Sequence, residues 1–169
     1  MCAQISPSQE RQRGFTLVEL MVVVAIIALI ASIVIPNYVH ARAQASVVDS
    51  IANMKQIAVA LESYYADNQC YPGSSGCATS GATVTPSLFG GSPNNYLNIT
   101  PVNDMGRQPY DYTDLKTDPD SYRIDDPAKY DPSLLNNLVQ ADGTTCAGSC
   151  TFLHYSPTSG TYGSAAAGQ

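Results

Sequence analysis

Gly14-Phe15-Thr16-Leu17-Val18-Glu19-Leu20-Met21, with the apolar run that continues from it to Ile35, is the stretch on which the reading of the chain turns. Of the 21 residues from Phe15 to Ile35, only Thr16, Glu19 and Ser32 are polar and none is basic. A helix rising ~1.5 Å per residue needs about 20 such residues to cross a bilayer. The run therefore reads as a membrane helix. Glu19 stands about one turn inside it, and a carboxylate in lipid is costly and marks a functional site that needs a partner. Arg11 and Arg13 precede Gly14, so the order is basic and then apolar, as in a signal segment. A secretory signal is cut after its apolar run, whereas the well-placed small residue here, Gly14, lies ahead of it. Cleavage between Gly14 and Phe15 would create an amino group four residues from Glu19 and leave the helix on the mature chain.

The segment Arg13-Gly14-Phe15-Thr16-Leu17-Val18-Glu19-Leu20 resembles the type III signal of type IV prepilins and type II secretion pseudopilins. The similarity runs on through Pro36, Ala41-Arg42-Ala43-Gln44 and Ala60-Leu61-Glu62-Ser63-Tyr64-Tyr65-Ala66-Asp67-Asn68 to Tyr71-Pro72, roughly residues 13 to 72. It implies an α+β fold of the type IV pilin kind, a long kinked N-terminal helix packed on a small antiparallel β-sheet. It implies that a prepilin peptidase cuts after Gly14 and N-methylates Phe15. Glu19 would then pair with the amine of Phe15, its own or a neighbour's. The implied organisation is a leader over residues 1–14, a transmembrane and filament-core half-helix over 15–36, an amphipathic half-helix over 37–68 and a globular head over 69–169. The implied partners are copies of the chain itself, the peptidase, an inner-membrane platform protein and assembly ATPases. The implied location is the inner membrane as a single-pass precursor and then an extracellular filament.

Composition narrows the classes. The formal charge is -6, and without residues 1–14 it becomes -7, from 13 acidic and 6 basic side chains. An acidic surface with no basic patch argues against nucleic acid as a partner. Of five cysteines, Cys2 falls in the leader, leaving Cys70, Cys77, Cys146 and Cys150. In an oxidising compartment four cysteines suggest two disulfides, with three possible connectivities. Proximity favours Cys70 with Cys77 and Cys146 with Cys150, and the oxidising compartment argues against a four-thiolate zinc site.

Along the chain, Pro36 removes one backbone donor and is expected to kink the helix without ending it. Val47, Ile51, Met54, Ala58, Leu61 and Tyr65 then recur at alternating intervals of four and three, one face of an amphipathic helix. Asp49, Ser50, Asn53, Gln56, Glu62 and Ser63 fall largely elsewhere. Together the halves make about 53 residues, on the order of 80 Å, ending near Asp67-Asn68 before Tyr71-Pro72. Ala25, Ala28 and Ala31 supply small residues for close helix approach. Gly73 to Gly91 reads as a loop with little core-forming potential. Tyr110–Thr113 and Ser121–Asp125 alternate about an Asp118-Pro119-Asp120-Ser121 turn and predict a hairpin. Ser133 to Val139 predicts a helical turn, Thr151 to Ser156 a third strand, and the Gly, Ser and Ala tail from Pro157 a frayed end.

Other chemistry finds less support. Asp118, Asp120, Asp125 and Asp126 do not match a calcium-loop spacing, Ala141-Asp142-Gly143 only faintly echoes the pseudopilin ending, and the Asp-Pro pairs read as turns on a solvated surface. Neither metal nor cofactor is expected. The eight tyrosines from Tyr38 to Tyr122 read as core and interface residues rather than an electron path. His40 and His154 read as structural or surface residues, no Ser, His and Asp set can be named, and the chain is not expected to be an enzyme. The expected function is a type IV pilin polymerising into a surface filament for adhesion, twitching motility or DNA uptake. Its rivals are a type II secretion pseudopilin, a minor pilin, and a membrane-anchored binding protein that never polymerises.

Overall fold

The computed structural model describes residues 14–73, 77, 83–89, 96–115, 122–140 and 143–166. One helix, α1 (Leu17–Asn68), runs 52 residues and passes through Pro36 without interruption. Four short strands follow: β1 (Asp111–Asp114), β2 (Tyr122–Asp125), β3 (Phe152–Ser156) and β4 (Gly160–Ser164). They form one antiparallel sheet in the order β1-β2-β3-β4. This is the α+β type IV pilin fold. The chain divides into two compact units, one up to His40 and the other from Ala41 on.

In the first unit, the described part of α1 has no fully buried residue, and its large apolar side chains from Leu17 to Val39 are exposed. A helix apolar all round is one made for lipid or for other helices. In the second unit, α1 contributes Val47, Ser50, Met54, Ile57, Ala58, Leu61 and Tyr64 to a core shared with the sheet. Ile51 and Tyr65, expected at the centre of that face, are only partly buried, while Ser50 is fully buried. The face is turned by about one residue because Ser50 has partners inside. Its hydroxyl donates to Tyr130 Oη at 2.7 Å and accepts from Tyr110 Oη at 3.1 Å. A buried hydroxyl with both partners is tolerated where an unpaired one is not.

Three further expectations are corrected. The Gly73–Gly91 segment does supply core: Val84 and the 3₁₀ turn Pro86–Phe89 bury Val84, Leu88 and Phe89. Its apolar residues are few but cluster, and Phe89 packs on Tyr64 with ring centroids 5.8 Å apart. The tail does not fray before Ser164, since β4 pairs with β3 from Phe152↔Ser164 to Ser156↔Gly160. A turn at Pro157–Ser159 with Gly160 at φ 68 reverses the chain, which a glycine does at no steric cost. Asp126 is not on a solvated surface but buried, as described below. The Asp118–Ser121 turn, Ala141-Asp142 and residues 1–13, with Cys2, Arg11 and Arg13, lie outside the described residues.

The two hairpin strands, β1 and β2, match their periodicity. Tyr122 and Ile124 of β2 are buried and alternate with Arg123 and Asp125, as two faces of a strand must. The turn after Asp131 is a 3₁₀ helix, Pro132–Leu135, capped by Asp131. Cys70 is bonded to Cys77, and Cys146 to Cys150. The second bridge is buried against β4, where Gly163 passes so close that no side chain fits between them.

Candidate assembly site and head network

Gly14 and Phe15 precede α1, and Phe15 is 85% exposed. A Cβ built on Gly14 meets nothing within 4 Å, so packing does not require glycine there. Glu19 lies in the first turn and reaches back rather than outward. Its Oε2 accepts from the Thr16 backbone N–H at 2.9 Å and from the Thr16 hydroxyl at 2.7 Å, while the Glu19 N–H donates to Thr16 Oγ1 at 3.2 Å. This reciprocal pair is a capping box, Thr16 at the N-cap and Glu19 at the third helical position. Thr16 was overlooked as a site residue, although the Thr-x-x-Glu spacing carries the signal. Thr16 is thus the partner of the Glu19 carboxylate.

The buried polar groups of the head form a directed chain. Asn53 Nδ2 donates to Tyr110 Oη at 3.4 Å, Tyr110 to Ser50, Ser50 to Tyr130, and Tyr130 to Asp126 Oδ2 at 2.6 Å. Asp126 Oδ1 accepts from Asn103 Nδ2 at 3.0 Å and from the Ala128 N–H at 2.9 Å. Every proton in the chain has one direction, which polarises successive bonds. Burial pushes the Tyr130 phenol well up, reinforced by the bond to Asp126, and burial and then Glu62 do the same for Tyr122. Both phenols therefore remain neutral donors. Glu62, exposed on α1, accepts from Tyr71 Oη at 3.1 Å and Tyr122 Oη at 3.2 Å.

A Ser, His and Asp set, which the sequence alone did not disclose, is brought together across three strands. His154 Nδ1 lies 2.5 Å from Asp125 Oδ1 and Nε2 lies 2.6 Å from Ser164 Oγ. The ring is 1% exposed and stacked on Tyr162, the Ser164 hydroxyl is also 2.5 Å from the Ala166 carbonyl, and Asp125 is shared with Arg123. In this geometry the three side chains tie β2 and β4 to β3. Among the described residues no group of three or more His, Cys, Asp or Glu could hold a metal ion.

Residues 10–35 match the family of the prokaryotic N-terminal methylation motif. The type II secretion system core protein G of Pseudomonas aeruginosa is 35% identical over 107 residues, 62% of this chain and 75% of that protein. The type IV wide pilus major component PilA4 of Thermus thermophilus is 37% identical over 93 residues, 52% of this chain and 71% of that one. The type IV major pilin protein PilA of Myxococcus xanthus is 38% identical over 68 residues, 40% and 31% respectively. The chain belongs to the type IV pilin and pseudopilin family, whose members are structural, pilin-like filament subunits.

Proposed function

We propose that the chain is a type IV pilin, made as a precursor whose residues 1–14 are removed by a prepilin peptidase that also methylates Phe15. The precursor is held by α1 in the inner membrane. The processed chain is then added to a surface filament by a platform protein and assembly ATPases, for adhesion, twitching motility or DNA uptake. The observation that carries this reading is the bare apolar helix from Leu17 to Val39, directly after Gly14, with Glu19 as its one acidic group. Such a surface is satisfied by lipid before assembly and by other copies' helices after it. Glu19, released from Thr16 once Phe15 has a free amine, is the contact that draws an incoming copy into register. Two disulfides closing the head support an extracellular life. The second reading, a pseudopilin of a type II secretion system, is favoured by the 75% of the Pseudomonas aeruginosa core protein G that the match spans.

Intact-mass and N-terminal peptide analysis of sheared filaments, beside the membrane fraction, separates these readings. N-methyl-Phe15 in abundant sheared filaments establishes the pilin. The same terminus confined to membranes indicates a pseudopilin or minor pilin, and an intact leader in every fraction rejects the proposal.

A further inference from the structure

Two surface features of the head, on opposite flanks of α1, carry opposite charge orders about an apolar centre. The first is a knob. Val102 and Pro109 pair across a short loop in which the Asn103 N–H donates to the Gln108 carbonyl, the Arg107 N–H to the Asn103 carbonyl, and the Gly106 N–H to Asn103 Oδ1. Arg107 sits at φ 50, a strained conformation for a residue with a side chain, and the loop holds it because buried Asn103 is fixed to Asp126. The tip presents Met105, 52% exposed, between Asp104 and Arg107. Among the described residues, Asp104 and Arg107 have no ion-pair partner.

The second feature is an open groove of about 550 Å³ between α1 and Tyr155, lined by Ala58, Val59 and Ala66 with Lys55 and Glu62. Val59 is 66% exposed, and Lys55 is exposed and has no ion-pair partner among the described residues. At about 100° per residue, Lys55, Val59 and Glu62 lie on one flank of α1, while Asn53 and Gln56, beside Val102, lie on the other.

We propose that the Met105 knob of one copy docks into the Val59 groove of a second copy, with Asp104 facing Lys55 and Arg107 facing Glu62. This rests on the filament reading above and names the head contact that reading needs. Methionine suits the knob because its unbranched, polarisable side chain fills irregular apolar space. The loop is already braced in one conformation, so little ordering entropy is lost on docking. The charge pairs select partner and register more than they add affinity. Because knob and groove are different surfaces on different flanks, the contact is heterologous and leaves an unused groove on one copy and an unused knob on the other. Repetition then extends into a helical array rather than closing as a dimer.

The test is disulfide trapping in cells producing the full chain. Val59→Cys and Met105→Cys are placed together in one chain, or singly in two differently tagged chains, and treated with a copper oxidant. The expected result is a ladder of cross-linked multimers from the double variant and a mixed-tag dimer from the pair. An exposed control position, Lys129→Cys paired with Val59→Cys, should trap at least about tenfold less. Lys55→Glu should lower trapping about fivefold, and adding Asp104→Lys should recover it. Sheared filaments carrying N-methyl-Phe15 that show no Val59→Cys to Met105→Cys band overturn the docking while leaving the filament reading intact. A chain that never polymerises and keeps its leader overturns both.

Discussion

Replacing Gly163 with alanine tests the tight packing of β4 against the Cys146–Cys150 bridge. A Cβ at that position falls 2.6 Å from Cys146 Sγ, 2.9 Å from Cys150 Cβ and 3.0 Å from Cys150 Sγ. Comfortable carbon contacts lie at about 3.5–4 Å, so one partner must move by about an ångström. None can move cheaply. The two sulfurs are bonded to each other and buried, the Cys146 N–H is held by the Leu138 carbonyl, and Gly163 itself donates to Val139. The φ of Gly163 is not in the left-handed region, so alanine meets no backbone penalty there and by chain entropy alone would stabilise by about 0.4–1 kcal/mol. Overpacking opposes this with about 1–3 kcal/mol, and the number of short contacts places Gly163→Ala near the upper end. For a chain of this size that lowers the melting midpoint by about 5–10 °C. The measurement is thermal unfolding of the processed chain in detergent micelles, repeated in a Cys146→Ala/Cys150→Ala background. There the alanine penalty should shrink below about 1 kcal/mol, because both sulfurs are gone and the Cβ that stays at position 150, no longer tied to position 146, can yield. A Gly163→Ala midpoint within a degree of the parent, or an equal loss in both backgrounds, would refute the packing argument.

Other perturbations follow from the buried polar chain and from the sheet edge. Ser50→Ala leaves the Tyr110 hydroxyl proton without its acceptor and Tyr130 Oη without the donor from Ser50, and should lower stability by about 1–3 kcal/mol in urea melts, with Ser50→Val no better. Asp126→Ala removes the acceptor of three donors and should cost about 3 kcal/mol or more, with hydrogen exchange accelerating first at Gly106 and Arg107, which Asn103 holds. Burial, and then Asp125, raise the Asp111 carboxyl above the ordinary aspartate range. The folded state therefore holds the proton more tightly, and the stability this gives is present at low pH and lost as pH rises through the raised value. Asp111→Asn should accordingly raise the midpoint at pH 7 and make no difference near pH 3.

Much of this was legible in the residues, and the misses share a physical cause. The apolar run, its glycine boundary, the continuation past Pro36 and three of the four strands follow from period and composition, which act locally. Ser50 and Asp126 were assigned to water because each is polar and judged alone. Their burial depends on Tyr110, Tyr130 and Asn103, residues 23 to 80 positions away in the chain. β4 was hidden for a related reason: Gly160 and Gly163 lower strand propensity locally, yet one makes the turn and the other admits the Cys146–Cys150 bridge. Likewise, the alignment of Asp125, His154 and Ser164 is a product of strand register, which no single segment encodes. Thr16 is the exception. Its partner Glu19 is three residues away, and the capping spacing was there to be read.

The chain of hydroxyls from Tyr110 through Ser50 and Tyr130 to Asp126 also has a mechanical meaning. Ser50 rides on α1, whereas Tyr110 adjoins β1, and Asp126 and Tyr130 lie beyond β2. For the helix to slip along the head by one turn, about 5.4 Å, the bonds of Ser50 to Tyr110 and to Tyr130 must break in shear together, in a buried site. A pull along α1 is thus resisted by a short row of rivets loaded in parallel, and the head follows the helix as a single body until that row fails.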